Sequence, residues 1–322
     1  MRRALLLLLI IVVLATPFSG CGREGSPTPT PTPSPSPTPS PTAEPTLTFN
    51  VGDGPRGICF DGENIWVANS HEGTVTKLRA SDGEILGTFD VDEGSRRLCF
   101  DGENIWVANY EGDSASKLRA SDGEVLATFH MGTRPRGICF DGTSIWVTSH
   151  GGCSVTKLRP SDGQVLGRFL VGRYPQGVCF DGENIWVANV GGLSVTKLRP
   201  SDGEVLGTFD VGKSPRFLTF DGENIWVTDT DSGSVFKLRA SDGEILGNFS
   251  GGKAPYDICF DGENIWVSDL SQHYVHKLST SDGEILESYE VGGAPFGICC
   301  DGENIWATNY VYDTITKLYP ER

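Results

Sequence analysis

Arginine and aromatic side chains occupy one position of a 40-residue repeat, and their chemistry suits the binding of an anion. Counting each repeat from Val51, position 6 holds, in chain order, Arg56, Arg96, Arg136, Gln176, Arg216, Tyr256 and Phe296. A guanidinium group binds a carboxylate or a phosphate through two parallel hydrogen bonds. These residues predict a ligand-binding site, provided that the fold gathers them around one axis. In the alternative, structural interpretation the arginines pair with Asp229, Asp269 or nearby carbonyl groups.

The repeat is marked by a motif that begins with residues 57–62 (Gly-Ile-Cys-Phe-Asp-Gly) and returns every 40 residues. All seven tryptophans share one of its positions: Trp66, Trp106, Trp146, Trp186, Trp226, Trp266 and Trp306. A fixed period of this length indicates repeated units that bury their apolar faces against each other. We therefore expect the tryptophans to pack between neighbouring units.

Each repeat predicts four short antiparallel strands. In the first repeat they are residues 56–61, 64–69, 74–79 and 84–89, separated by Asp-Gly and Ser-Asp-Gly turns and one polar loop. Such a unit is typical of a propeller blade. Positions 3–6 and 19–24 vary strongly between copies, and their two loops lie on the same face of a four-stranded meander. Variable loops on a rigid scaffold are where binding sites are usually found.

The two ends of the repeat region predict how the ring closes. The seventh copy, from Val291, lacks the fourth strand, and residues 44–50 align with residues 84–90 of the first copy. The N-terminal strand should therefore complete the C-terminal blade, which pairs two otherwise exposed edges. The sequence predicts an all-β, seven-bladed β-propeller of four-stranded antiparallel blades over residues 47–322.

The repeat Val-Gly-x-x-Pro-x-Gly-Ile-Cys-Phe-Asp-Gly-x-x-Ile-Trp-Val-Ala-Asn, followed by Val-Thr-Lys-Leu, resembles the YVTN family of seven-bladed propellers. It is also similar to NHL repeats and to streptogramin lyase propellers. The resemblance covers residues 47–322. It implies the fold but says little about function, because propellers support many activities.

The resemblance to streptogramin lyases would imply a catalytic histidine at position 6 and a glutamate after the tryptophan of another blade. Position 6 contains no histidine, and position 19 holds only Asn69, Asn109, Ser149, Asn189, Asp229, Asp269 and Asn309. The five histidines fall at five different repeat positions: His71, His130, His150, His273 and His276. We therefore predict no catalytic residues and no cofactor, and keep an enzyme of this lyase class as an alternative.

Other recurring residues have structural interpretations. The lysine of each repeat, Lys77 in the first, is expected to pair with a repeated Asp or Glu. No metal site is predicted, because each turn offers one or two oxygens, and His150 and Cys153, which share a loop, are only two ligands. Cysteines at position 9 should be small buried residues. A bridge from Cys300 to Cys59 or Cys259 is a further hypothesis.

The N-terminal region reads as an export signal followed by a spacer. Residues 1–20 predict a signal peptide, and Phe18-Ser19-Gly20-Cys21 resembles the lipobox of bacterial lipoproteins, which implies lipidation of Cys21. An ordinary cleaved signal is the alternative. Residues 21–46, which begin with this cysteine, alternate proline with threonine and serine, and such a stretch predicts an extended linker.

The net charge of −16 argues against a nucleic-acid partner and against broad adhesion to anionic lipid. We expect a monomeric, extracytoplasmic propeller that contacts a membrane only through its lipid anchor, in the outer membrane if the host has one. Its predicted function is to bind an anionic small molecule, a glycan or a protein through the variable loops and the ring of position-6 residues. A purely structural surface-layer-type protein is the other alternative.

Overall fold

The computed structural model describes residues 46–320, which belong to one compact unit. Twenty-eight strands form seven four-stranded antiparallel sheets, and this confirms the predicted propeller. The predicted signal peptide and Cys21 lie outside the described residues, as does the linker up to residue 45. Within residues 46–320, no helix has the length and hydropathy of a membrane-spanning segment.

Blades 1 to 3 follow the chain without interruption. Blade 1 consists of β2 to β5 (Pro55–Phe60, Asn64–Asn69, Thr74–Arg79 and Ile85–Asp90). Blade 2 consists of β6 to β9 (Ser95–Phe100, Asn104–Asn109, Ser114–Arg119 and Val125–His130). Blade 3 consists of β10 to β13 (Pro135–Phe140, Ile145–Ser149, Ser154–Leu158 and Val165–Leu170).

Blades 4 to 7 repeat this arrangement. Blade 4 consists of β14 to β17 (Pro175–Phe180, Ile185–Asn189, Ser194–Leu198 and Val205–Asp210), with a 3-10 helix at Val190–Gly192. Blade 5 consists of β18 to β21 (Pro215–Phe220, Asn224–Asp229, Ser234–Arg239 and Ile245–Ser250). Blade 6 consists of β22 to β25 (Pro255–Phe260, Asn264–Asp269, Tyr274–Ser279 and Ile285–Glu290). Blade 7 consists of β26 to β28 (Pro295–Cys300, Ile305–Asn309 and Thr314–Leu318) and β1 (Leu47–Asn50).

The ring closes as the sequence predicts. Strand β1 pairs with β28, with Phe49 opposite Ile315, just as Phe89 lies opposite Val75 in blade 1. The Phe49 ring stands 5.7 Å from the Trp306 ring. The displaced strand therefore occupies the place of a fourth strand, and residues from both ends of the chain share one sheet.

An aspartate organises the first turn of every blade. Oδ1 of Asp61 accepts hydrogen bonds from the backbone N–H groups of Glu63 and Asn64, at 2.9 and 2.6 Å. Its Oδ2 accepts the indole N–H of Trp66 at 2.7 Å. The same indole bond, 2.6–2.8 Å long, is present in all seven blades. The aspartate therefore couples turn formation to the position of the buried tryptophan.

The tryptophans fill the space between blades, as predicted. Each is fully buried, and Trp66 packs with Leu98 and Ile105 of the next blade. On the other face of the same strand, Ile65 and Val67 belong to the cluster that contains Trp306 of blade 7. Each sheet therefore contributes alternating side chains to two separate interfaces.

The prediction that the repeat lysines pair with carboxylates is wrong for Lys77 and for five of its equivalents. Nζ of Lys77 donates to the carbonyl groups of Ala120 and Ser121 in the next blade, at 2.8 and 3.1 Å. The ammonium group also lies 5.2 Å from the centre of the Trp66 ring. The next-blade carbonyl contact recurs for Lys117, Lys157, Lys197, Lys237 and Lys317. These lysines therefore connect neighbouring blades. The aliphatic part of each side chain reaches the next blade, so its ammonium group meets backbone carbonyl groups there.

No disulfide joins the eight cysteines of residues 46–320, so the hypothesised bridge from Cys300 to Cys59 or Cys259 is absent there. The position-9 thiols are partly rather than fully buried, and each packs at the edge of a core cluster. Burial raises the pKa of the Cys59 thiol, with a smaller contribution from Asp61.

We predict that Lys197→Met lowers the free energy of unfolding by about 1–3 kcal/mol, because it leaves the carbonyls of Ala240 and Ser241 without this donor. Urea denaturation followed by tryptophan fluorescence measures the change. Lys213→Met is the matched control, since Lys213 is exposed on a loop. Equal stability of the two variants would contradict the role assigned to the lysine.

Candidate functional site

The variable loops lie together on one face of the propeller, as predicted. The loop before β2 accepts hydrogen bonds from the loop after β3, from Ser70 N to Gly54 O at 2.9 Å and from His71 N to Asp53 O at 3.2 Å. Position 6 of each blade lies at an irregularity in the pairing of the first two strands. A β-bulge releases a residue from the ladder and redirects its side chain. This local irregularity brings position 6 to the mouth of the central channel.

The mouth is almost closed by side chains. A cavity of about 10 Å³ remains, lined by Arg56, Arg96, Arg97, Arg136, Phe217, Tyr256 and Phe296. That volume is enough for about one water molecule. Five of the seven predicted position-6 residues line it, whereas Gln176 and Arg216 do not. The structure thus brings most of the predicted ring together around a plugged channel.

The plug is an ion pair that crosses the channel from blade 2 to blade 6. Nη1 of Arg97 lies 2.5 Å from Oδ2 of Asp257, and both side chains are largely buried. The same oxygen accepts the backbone N–H of Ile298 at 2.8 Å. The Arg97 guanidinium stands 3.7 Å from the centre of the Phe217 ring. Because both charges are compensated, Arg97 is a structural cation.

Sequence reasoning did not assign these plug residues to the site, although the signal was present. Position 7 is glycine in four blades and Arg97, Phe217 or Asp257 in the other three. A Cβ added to Gly57 or Gly137 would lie 2.3 or 2.0 Å from a carbonyl oxygen of the next blade. Glycine is thus required where the inner strands approach most closely, and each departure from it marks a side chain aimed at the axis.

Arg56 and Arg96 have different partners. Arg56 donates from Nε to Ser70 at 3.1 Å and from Nη2 to the Tyr310 hydroxyl at 3.2 Å, and it faces the Phe296 ring at 4.5 Å. None of these partners is charged. By contrast, Arg96 forms an ion pair with Glu111 at 2.9 Å.

Arg136 and Arg216 both face Tyr256. Nη2 of Arg136 donates to the Tyr256 hydroxyl at 3.1 Å, and the Arg216 guanidinium lies 5.7 Å from the centre of its ring. Burial opposes ionisation of the phenol, but Arg136, Arg97 and Arg216 outweigh it and lower its pKa. Burial lowers the pKa of Arg216, and nearby Arg136 adds to this effect, while Tyr256, Asp231 and Asp229 oppose it. This side of the mouth concentrates positive charge.

Four buried polar atoms of position-6 and position-7 residues at the mouth lack hydrogen-bond partners. They are Nε of Arg96, Nη2 of Arg97, Oε1 of Gln176 and Nε of Arg216, and Gln176 is only 1% exposed. Buried polar groups are normally satisfied. The structural interpretation that paired the arginines with Asp229 or Asp269 is wrong. These carboxylates accept backbone N–H groups of their own loops, from Lys213 and Lys253 at 2.5 Å each.

His150 lies beside the same arginines. Its ring stacks on Tyr174 at 5.1 Å, and Nδ1 is 3.3 Å from the carbonyl oxygen of Pro175. Burial, with repulsion from Arg136 and smaller contributions from Arg134 and Arg216, lowers its pKa from 6.5 to about 4. The neutral imidazole adds no charge to the cluster.

The described residues contain no group of three His, Cys, Asp or Glu side chains that could hold a metal ion. His150 and Cys153 therefore gain no third ligand within residues 46–320. The mouth offers guanidinium, phenol and amide groups, which suit the recognition of an anion.

No family model and no curated protein sequence matches the chain. Its fold is similar to that of virginiamycin B lyase from Staphylococcus aureus, at 20% identity and a TM-score of 0.75, over 86% of this chain and 99% of that one. A streptogramin B lyase structure gives 20% identity and a TM-score of 0.74, over 85% and 96% of the two chains. Hydrazine synthase from Kuenenia stuttgartiensis gives 20% identity and a TM-score of 0.71, over 83% of this chain and 96% of that one. At this identity the likeness establishes the propeller fold alone.

We predict that His150 makes the protein less stable in acid. Between pH 6.5 and about 4 the unfolded chain binds a proton at this residue and the folded chain does not, so stability falls as the pH is lowered through this range. His150→Gln should make that fall shallower in urea denaturation at a series of pH values. The exposed His130, changed to Gln, is the control. An unchanged slope in His150→Gln would contradict the prediction.

Proposed function

We propose that this protein is a binding module that captures a small carboxylate- or phosphate-bearing ligand over the channel mouth. One observation carries the proposal. Arg56, Arg136 and Arg216 are partly buried, and none has a carboxylate within 4.0 Å among residues 46–320. Arg96 and Arg97 differ, because each already has an acidic partner.

The unpaired arginines favour an anion for an energetic reason. Removing a charged group from water is costly unless an opposite charge compensates it. Arg216 is consistent with this cost, because burial lowers its pKa although Tyr256, Asp231 and Asp229 act in the opposite direction. A carboxylate or phosphate near the exposed parts of Arg136 and Arg216 would supply the missing charge. The donors are already positioned, which reduces the entropy lost on binding.

The size of the mouth decides where the ligand sits. The closed cavity of about 10 Å³ excludes anything much larger than water from the channel. The ligand therefore lies on the face, above Tyr256. Exposed cations on the loops of blades 3 to 6 surround this place: Arg134, Arg173, Lys213 and Lys253. Their field would steer an anion to the mouth even though the protein is acidic overall.

The other functions considered from the sequence have less support. A lyase of the streptogramin class shares the fold, but position 6 lacks the histidine that the resemblance would imply. A purely structural surface protein leaves the unpaired arginines without an explanation. A glycan or protein ligand with an acidic group would use the same contacts and remains within the proposal.

We also propose that the propeller is extracytoplasmic, monomeric and held to a membrane by a lipid on Cys21. The lipobox-like residues 18–21 and the proline-rich residues 22–46 support this. An exported propeller would be accessible to soluble anions outside the cytoplasm.

Isothermal titration with inorganic phosphate and with succinate tests the binding proposal. Wild-type protein should bind at least one of these probes, and Arg136→Gln with Arg216→Gln should weaken that binding roughly tenfold or more, because both charge-assisted contacts are lost. Higher salt should weaken binding of the wild type.

The matched control is Arg119→Gln with Arg239→Gln. These arginines are exposed and form ion pairs within their own turns, away from the mouth. The control variant should bind as wild type does. No binding of either probe, or equal binding by both double variants, contradicts the proposed site when circular dichroism shows intact folds.

Expression in a bacterial host tests the anchor. The wild-type protein should incorporate a palmitate analogue and sediment with membranes, whereas Cys21→Ser should do neither, because its side chain lacks the thiol that receives the lipid. Wild-type protein that carries no lipid and stays in the soluble fraction would contradict the proposal.

A further inference from the structure

A hydrogen-bonded chain of four side chains lies at the junction of blades 7 and 1. Nδ1 of His71 is 2.9 Å from Oδ1 of Asp53, and Nε2 of His71 is 2.7 Å from the Tyr310 hydroxyl. The same hydroxyl accepts a hydrogen bond from Nη2 of Arg56 at 3.2 Å. Carboxylate, imidazole, phenol and guanidinium thus form one connected series.

The two charged ends assign the direction of every proton in this series. Arg56 can only donate, so the phenol oxygen accepts from it and the phenol hydrogen points to Nε2 of His71. Asp53 as a carboxylate can only accept, so Nδ1 of His71 carries the imidazole hydrogen. Nε2 therefore presents a lone pair to the phenol. This is the arrangement in which an imidazole acts as a base toward a hydroxyl group.

The surrounding chain holds the imidazole in place. The ring packs against Gly54, where an added Cβ would lie 2.9 Å from Cγ of His71, and Gly54 has a φ of +66° that suits glycine. The ring also meets Tyr310 edge-on at 5.3 Å. Position 4 is glycine only in blades 1 and 2, so this packing is not a general property of the repeat.

We propose that Tyr310 is an acid–base catalytic residue, positioned by His71 and Asp53, that takes a proton from a bound substrate. As the phenol oxygen accepts the substrate proton, the phenol's own proton moves to Nε2 of His71. Asp53 stabilises the imidazolium, and the Arg56 N–H group stabilises negative charge on the phenol oxygen. The substrate is left as its conjugate base, and the reverse transfer returns the proton to the product.

The surroundings indicate the class of substrate. A groove of about 450 Å³ lies beside the relay, between blades 1 and 2, and has room for a small organic molecule. Its charged and titratable lining residues are Arg56, His71, Arg96, Glu72, Glu93 and Glu111. Because three carboxylates outnumber the two guanidiniums, and Glu111 already pairs with Arg96, the groove favours a neutral molecule over an anion. The substrate is therefore a small neutral molecule with a weakly acidic proton.

This proposal goes beyond the binding function and can fail separately. The relay shares Arg56 with the mouth but uses neither Arg136 nor Arg216. Its test uses phenylmethanesulfonyl fluoride, an uncharged probe that does not require an anion site. An activated phenol oxygen forms a bond to sulfur, the sulfur–fluorine bond breaks, fluoride leaves, and the phenol proton goes to His71.

Peptide mass spectrometry measures the labelling of each tyrosine at pH 7. Tyr310 is partly buried, whereas Tyr312 is 65% exposed and serves as an internal control. We expect Tyr310 to be labelled roughly tenfold faster than Tyr312, because only Tyr310 has an imidazole base at its hydroxyl. His71→Gln, which can still accept the phenol hydrogen but is not a base, should remove this difference, and Asp53→Asn should reduce it.

Tyr310→Phe should lose the label while keeping the ring that packs on Phe296. The changed side chains of Asp53 and His71 are about half exposed, so these variants should fold, and circular dichroism checks this. Labelling of Tyr310 no faster than that of Tyr312 in the wild type would overturn the proposal. Undiminished labelling in folded His71→Gln would overturn it as well, since accessibility alone would then explain the reactivity.

Discussion

The buried indole of each repeat is the constraint on which the rest of the structure depends. A tryptophan N–H removed from water needs an acceptor, or it costs roughly 1–3 kcal/mol. Asp61 meets this need for Trp66 with one oxygen and uses the other to hold the first turn. Lys77 approaches the indole and continues to the next blade. One set of residues thereby fixes the turn, the core and the spacing between blades.

This arrangement explains why variation is confined to one face. The Asp-Gly and Ser-Asp-Gly turns carry the residues that every blade needs, so substitution there weakens a turn or an interface. The loops at positions 3–6 and 19–24 do not contain the aspartate, tryptophan and lysine of this repeated set. The bulge at position 6 also detaches that residue from the ladder. A seven-fold scaffold can therefore hold side chains of four different types around one axis at little cost to its core.

The sequence predicted most of the fold and part of the candidate site. The number of blades could be predicted from the 40-residue period and the Asp-Gly turns, because turns depend on local chemistry. The closure of the ring could be predicted from the displaced strand at residues 44–50, because it replaces the strand that the seventh repeat lacks. In the first repeat two strands were displaced by one residue: 56–61 and 84–89 were predicted, and Pro55–Phe60 and Ile85–Asp90 are observed. The first of them ends before Asp61, because Asp61 leaves the sheet to cap its turn. The lysine partners were wrong because they belong to the neighbouring blade. The partners of Arg97 and Tyr310 could not be predicted, since they depend on inter-blade distances.

The number of arginines at the mouth does not determine how well it binds an anion, because some of them already pair with carboxylates. Arg97 is the most central cation, yet Asp257 and Phe217 occupy its guanidinium, so it closes the channel. Arg96 is held by Glu111 in a similar way. What distinguishes Arg136 and Arg216 is the absence of a carboxylate within 4.0 Å among residues 46–320, together with a neighbouring imidazole whose lowered pKa keeps it neutral. An incoming anion would compensate both guanidiniums and would also favour protonation of His150. Ligand binding and the acid stability of the fold should therefore be linked through this one histidine.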